Sequence, residues 1–129
     1  MIAFRLSSTS GLSTYLQIAQ QVRQALRLGT LEPGDQLPTV KEVVGALAIN
    51  PNTVLKAYRV LESEGLIQGR PGQGTFVIRS LPGAASPKYE LLRRSLEHWV
   101  REALGSGLDP DALEAMFDAA LRSAQEGVA

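Results

Sequence analysis

The stretch GRPGQGTFVI, Gly69 to Ile78, sets three glycines and a proline ahead of Thr75, a composition that lets backbone N–H groups come close to a phosphate. Gly69 and Gly74 have the spacing of the nucleotide loop G-x-x-x-x-G-K-[ST], whose lysine reaches the phosphates and whose following helix adds its N-terminal dipole. Here Thr75 follows Gly74 with no lysine between them, and TFVI is β-branched and aromatic, so a strand follows in place of a helix. With LIQ ahead of it, the stretch reads as a β-hairpin whose glycine-rich tip carries Arg70 and Gln73. The loop is not that of a nucleotide-hydrolysing enzyme.

Other chemistry is scarce. His98 is the one histidine, set among Glu97, Trp99 and Glu102. A metal ion wants three or four ligands, and without cysteine or a second histidine we expect no metal and no cofactor. No serine, lysine or carboxylate pair forms a catalytic pattern, so an enzyme is not expected. Met116 and Phe117 are residue types that line apolar ligand pockets, but their helical spacing fits packing better. Whether a small-molecule effector exists is not written in the sequence.

The cationic residues say more. NPNTVLKAYRVLESEG predicts a helix capped by Asn50, with Pro51 at the first position, where a missing N–H costs nothing, and a stop at Gly65. At ~100° per residue, Val54, Ala57, Tyr58 and Leu61 share one side, and Asn52, Lys56, Arg59 and Ser63 collect opposite them. That outer side offers amide, ammonium, guanidinium and hydroxyl groups and no carboxylate, whereas an ordinary solvated face mixes both signs of charge. These groups suit the phosphates and base edges of a DNA major groove.

The elements that must hold this helix can also be read. A first helix is predicted from Thr14 to Gly29, with Thr14 as cap, Gln17 completing a capping box, and Tyr15, Ala19, Val22 and Leu26 on one face. LEPGDQLP is a loop. Thr39 and Glu42 then form a second capping box, ahead of a short helix with a buried stripe of Val40, Val43, Val44 and Leu47. Two helices about four residues apart have helix-turn-helix spacing. A hairpin directly after the second of them is a wing.

At 129 residues the chain has room for one domain, or one small domain and an appendage. It lacks cysteine, and neither the start, MIAFRLSSTSG, nor any later segment offers a leader or the ~20 apolar residues of a membrane span. A cytoplasmic protein with no membrane partner is expected. The net charge of zero hides an asymmetry: residues 1–80 hold eight basic and five acidic side chains, and the remainder holds the reverse. The first part therefore faces an anion. Composition breaks at RSLPGAASPK, giving a domain over 1–80, a linker over 81–88 and a helical segment over 89–129.

Taken together, LEPGDQLPTVKEVVGALAINPNTVLKAYRVLESEGLIQGRPGQGTFV, Leu31 to Val77, resembles the winged helix-turn-helix domain of GntR-type bacterial transcriptional regulators. The motifs that carry the resemblance are G-D-x-L-P, NPNTV, LESEGLI and GxGTFV, and it covers most of residues 12–78. The short remainder resembles the YtrA-type subfamily. The resemblance implies a homodimeric repressor on a palindromic double-stranded operator, often linked to genes for ABC transporters. It places DNA contacts on Thr39 and Lys41, on Asn52, Thr53, Lys56 and Arg59, and on Arg70, Gln73 and Gly74. Lysine stands at 41 where many members carry arginine, so a point charge replaces a bidentate fork.

Beyond the linker, Ser86 and Pro87 open a predicted helix with Leu92, Leu96, Trp99, Val100 and Ala103 in a stripe. Asp109 caps the next, where Leu113, Met116, Phe117, Ala120 and Leu121 repeat at i, i+3, i+4, i+7 and i+8. Two helices alone do not bury such stripes. We therefore expect dimerisation through Leu92, Leu96, Trp99, Leu113, Met116, Phe117, Ala120 and Leu121. The expected fold is α+β and mainly helical: an N-terminal winged helix-turn-helix followed by a short two-helix C-terminal dimerisation segment. The alternative is a winged helix used as a protein-protein interaction module without sequence-specific DNA binding, and the basic outer face argues against it.

Overall fold

The computed structural model describes residues 1–83 and 87–127. Its elements are α1 (Thr14–Leu28), α2 (Val40–Leu47), α3 (Pro51–Ser63), β1 (Ile67–Arg70), β2 (Gly74–Val77), α4 (Pro87–Gly105) and α5 (Pro110–Gly127). They fall into two compact units, Met1–Ala85 and Ser86–Ala129. The result is a mainly helical α+β chain with a small antiparallel hairpin, as expected.

The core of the first unit is built where the three helices meet the hairpin. Ile18, Ala19, Val22 and Leu26 of α1, Val43 of α2, Val54, Ala57 and Leu61 of α3, and Leu66, Ile67 and Val77 around the hairpin are all buried. Tyr15, Val40, Val44 and Leu47 pack against this core from its edge. Phe76 does not belong to it, contrary to what its aromatic character implies. β2 pairs Val77 with Ile67, which puts Val77 inside and turns Phe76 to the other face.

In the first unit two helix starts read correctly and one did not. Thr39 Oγ1 accepts from the Glu42 N–H at 3.1 Å while Glu42 Oε1 accepts from the Thr39 N–H at 3.2 Å, completing the capping box of α2. Asn50 Oδ1 accepts from the Asn52 N–H at 2.8 Å, with Pro51 opening α3. At α1, however, Ser13 is the cap residue, without a side-chain bond, and Thr14 is already helical. Gln17 makes no capping box. Its amide accepts from the Ser7 N–H at 2.8 Å and donates to the carbonyls of Ser7 at 3.0 Å and Leu12 at 2.9 Å.

A parallel pair of bonds joins Gln21 to the backbone of Arg5, so two glutamines of α1 fasten the N-terminal segment and seat Phe4 in the core. The loop before α2 is likewise laced to the wing. Gly34 N–H donates to Val77 O, Val77 N–H to Asp35 O and Leu37 N–H to Thr75 O, each at 2.8 Å, so residues 34–37 flank the hairpin as a third extended segment. At the other end Leu81, expected in the linker, packs on the core, and Arg27 Nη1 donates to Pro82 O at 3.1 Å. The rest of that linker lies partly outside the described residues, as does Ser86.

Arg23 of α1 grips Glu64, just past α3, with two bonds of 2.9 and 2.5 Å. The guanidinium holds the Glu64 carboxyl below its ordinary value, and Glu64 in turn raises Arg23. A lowered carboxylate contributes stability above its ordinary value of 4.5, and that contribution is lost as pH falls through the lowered folded value. Glu64→Gln should therefore lower stability by ~0.2–1 kcal/mol at neutral pH, because a partly exposed pair is screened by water. Urea melts at pH 7 and at pH 3 check this: the difference from wild type should shrink at the lower pH.

In the second unit, α5 is capped by Asp109, whose Oδ1 accepts from the Ala112 N–H at 2.8 Å. Ala103 and Leu113 are buried there, whereas most of the predicted stripe is not. No helix among the described residues is long and apolar enough to cross a membrane.

Candidate nucleic-acid interface

The first unit gathers the cations that sequence assigned to DNA and ties down most of the others. Arg23 is engaged by Glu64, Arg27 by Pro82 O, and Arg79 by the Glu64 carbonyl. Lys41 near the start of α2, Lys56 and Arg59 on α3, and Arg70 at the wing are all exposed. On α3 the inward side of Val54, Ala57, Tyr58 and Leu61 is buried, which turns Asn52, Lys56 and Arg59 outward as the ~100° period requires. Thr53 is half-buried beside them. Ser63 is spent internally, its hydroxyl donating to Val60 O at 2.7 Å.

Tyr58 fixes the relation between the two helices of this face. Its buried hydroxyl donates to Pro38 O at 2.7 Å, next to the Thr39 cap. Burial, with the nearby Glu42 carboxylate, pushes the phenol well above the ordinary tyrosine range, so it remains a donor at all physiological pH. Between α2 and α3 the chain turns at Ala48, a non-glycine residue at φ 54° whose N–H bonds Val44 O at 2.9 Å. The start of α2, with Thr39 and Lys41, is thereby held in a fixed relation to α3.

The wing tip is closed by the Gln73 N–H donating to Arg70 O at 2.9 Å. Gln36 reaches in from the loop before α2, its Nε2 donating to Gln73 O at 3.3 Å and lying over Gly74. Gly74 stands at φ 129°, a conformation that side-chain-bearing residues avoid. Gly74→Val should cost ~1–3 kcal/mol of backbone strain and spoil the tip. Arg70→Ala should keep the melting temperature and lower DNA affinity. Thermal melts paired with binding isotherms separate the two; an unstrained Gly74→Val protein, or an Arg70→Ala protein with unchanged affinity, contradicts the assignment.

Sequence reasoning missed two rings beneath these cations. Lys56 Nζ lies 4.1 Å from the centre of the Tyr15 ring, and the Arg70 guanidinium carbon 4.8 Å from that of Phe76. The Lys56–Tyr15 pairing has no local sequence signal, since 41 positions separate the two, whereas Arg70 and Phe76 are diagonal neighbours across the hairpin register.

The matches to known proteins fit this geometry. The family described as bacterial regulatory proteins, gntR family, matches residues 14–77, from α1 through β2. The HTH-type transcriptional repressor YtrA of Bacillus subtilis (strain 168) is 34% identical over 100 residues, which span 77% of this chain and 77% of that protein. The chain belongs to the GntR family. Solved structures similar to this chain cover most of its length. A transcriptional antiterminator from Listeria monocytogenes EGD-e superposes with a TM-score of 0.59 at 28% identity, covering 92% of this chain and 89% of its own. YtrA from Sulfolobus acidocaldarius, a GntR-family transcription factor, gives a TM-score of 0.50 at 28% identity, covering 95% and 97%. This GntR protein is thus a winged-helix, DNA-binding regulator of the YtrA type, and the relatives it matches are transcriptional regulators.

The other predicted site residues lie in the second unit of the GntR chain. Leu92, Leu96, Met116, Phe117 and Leu121 are between 46% and 60% exposed, Ala120 is exposed, Trp99 is half-buried and Leu113 is buried. Leu96, Trp99, Val100, Leu104, Leu113 and Phe117 line most of a shallow groove of about 480 Å³ along α4 and α5. His98 sits apart on a solvated face, its Nε2 3.5 Å from Glu102 Oε2. Among the described residues, no group of three or more His, Asp or Glu side chains comes together as metal ligands do.

Proposed function

We propose that this chain is a homodimeric repressor occupying a palindromic operator in the cytoplasm and, following its YtrA-type resemblance, controlling genes for ABC transporters. The observation that carries the reading is the outer face of α3: Asn52, Lys56 and Arg59 are exposed together without a carboxylate among them, while Arg23, Arg27 and Arg79 are committed internally. An amide and two cations so placed can pair with base edges and phosphates. Thr39, Lys41, Thr53, Arg70, Gln73 and Gly74 complete the proposed contact set from α2, α3 and the wing. Repression is the sign of regulation named for the Bacillus subtilis relative.

Dimerisation rests on the second unit. Five large apolar side chains about half-exposed on a pair of helices form a patch of the sort that marks an interface, and a second copy covers it with the same patch. A small-molecule effector in that unit would draw on the same apolar face, which two copies bury more fully.

The test uses two variants of α3. Lys56→Ala should weaken binding to every sequence and lower the salt slope by ~1 per protomer, since an ammonium acts on the phosphate as a point charge. Asn52→Ala should relax preference at one base position, with a loss of ~1–3 kcal/mol there. Binding measured on operator and random DNA across a salt series distinguishes them. Wild-type affinity and slope in both variants would overturn the interface.

A further inference from the structure

Both rings found beneath the DNA-facing cations belong to residues outside the proposed contact set, and both cations are exposed side chains that would otherwise sample many rotamers. Tyr15 stands in the first turn of α1, half-buried against the core edge, so its ring is held by packing. Lys56 Nζ lies 4.1 Å from its centre, inside the ~6 Å range in which an ammonium is attracted to a ring face. Phe76, turned out of the core by the register of β2, presents its face to Arg70, whose guanidinium lies at 4.8 Å. Neither cation has a carboxylate partner among the ion pairs of the described residues.

We propose that Tyr15 and Phe76 are positioning residues for DNA binding: each ring pre-orders one cation, Lys56 on α3 and Arg70 on the wing, without touching the nucleic acid through its own polar groups. The inference rests on the assignment of that face to DNA. Its physical content is entropic. A lysine or arginine held free in water loses much rotamer freedom when it docks on a phosphate, and a side chain already resting on a ring loses less. The ring leaves the charge intact, unlike a carboxylate, which would neutralise the cation and compete with the phosphate. Tyr15 is carried by α1, whose Ile18, Ala19 and Val22 share one buried core with Val54, Ala57 and Leu61 of α3.

The experiment is a salt series of operator binding by full-length protein, with melting temperatures taken alongside. Tyr15→Leu should weaken binding about two- to fivefold with the salt slope unchanged, because the ammonium still displaces counterions; Tyr15→Phe should restore wild-type affinity, because the ring suffices. Lys56→Ala lowers the slope as well. In the double variant Tyr15→Leu with Lys56→Ala, affinity should equal that of Lys56→Ala alone, since the ring has nothing left to position. Phe76→Leu and Phe76→Tyr should repeat the pattern with Arg70→Ala. Additive losses, an unchanged Tyr15→Leu affinity, or tighter binding by it would overturn the positioning role while leaving the DNA face standing. An unchanged Lys56→Ala affinity would overturn Lys56 as a contact and the Tyr15 role with it; an unchanged Asn52→Ala affinity beside it would overturn the DNA face itself. Should Tyr15→Leu prove too unstable at 25 °C, the Tyr15→Phe and Phe76 series decide the matter.

Discussion

A fragment of residues 1–83 is expected to stay folded, sediment as a monomer and bind a two-half-site operator on the order of 100-fold more weakly than the full chain. Its core, from Phe4 and Ile18 through Leu61 to Val77, lies wholly within the first unit, and ending at 83 keeps Leu81 on that core and Pro82 O on Arg27. What it loses is the second unit, whose exposed stripe on α4 and α5 is proposed to join two chains. Joined, the second half-site is met at an effective concentration near ~mM; separate, each half-site binds alone. Phe117→Asp in the full chain should reproduce part of the loss, because a carboxylate taken into an apolar interface without a partner costs several kcal/mol or holds the interface open. The comparison needs one fixed salt concentration, since the eight basic against five acidic side chains of the fragment sustain nonspecific affinity at low salt. Equal operator affinity, or a fragment that still dimerises, would defeat this account of α4 and α5.

The second large effect is one of stability. Gln17 is buried, and its amide satisfies one N–H and two carbonyls of the segment before α1. Gln17→Glu keeps the shape and replaces the donor with an acceptor, so two carbonyl oxygens face a carboxylate. A loss of ~3 kcal/mol or more at neutral pH is expected, the penalty of a buried charge set against unpaired acceptors. The sign of its pH dependence follows. The introduced carboxyl is favoured protonated in the folded state, so its folded pKa is raised, and the defect should shrink as pH falls and the acid recovers a donor. Urea melts of both proteins at pH 8 and pH 5 measure this. A variant as stable as wild type at pH 8 would mean that the segment before α1 is not held by Gln17.

Local chemistry made much of this architecture readable. The caps at Thr39 and Asn50 are decided within three residues, by side chains that reach the next free N–H, and the glycine spacing around Pro71 announces a hairpin by itself. Which side of α3 is buried and which is exposed followed from periodicity alone. Gln17 went astray because the capping-box pattern is satisfied equally by Thr14 and Gln17, and the choice was made by Ser7 and Leu12, whose carbonyls offered the buried amide a better set of partners. Bulk alone would put Phe76 in the core, whereas pairing of Ile67 with Val77 decides which face of β2 is inside. Phe4 and residues 34–37 were invisible for a different reason: neither MIAFRLSSTSG nor LEPGDQLP has a period, and both owe their conformation to bonds with distant elements.

The lacing of residues 34–37 to β2 sets where this protein tolerates a change in length. One residue inserted between Asp35 and Leu37 would slip the pairing with Thr75 and Val77 by one, and a slip of one exchanges the two faces of an extended segment. Leu37, now 1% exposed, would be thrown to solvent and Gln36 driven toward the core. The tip at Pro71–Gln73 obeys the opposite rule. It is exposed, its turn is closed by a single bond, and a few added residues cost only the slowly growing entropy of a longer loop. The length of the wing is therefore free to change by insertion at the tip, while the loop ahead of α2 is confined to point substitution.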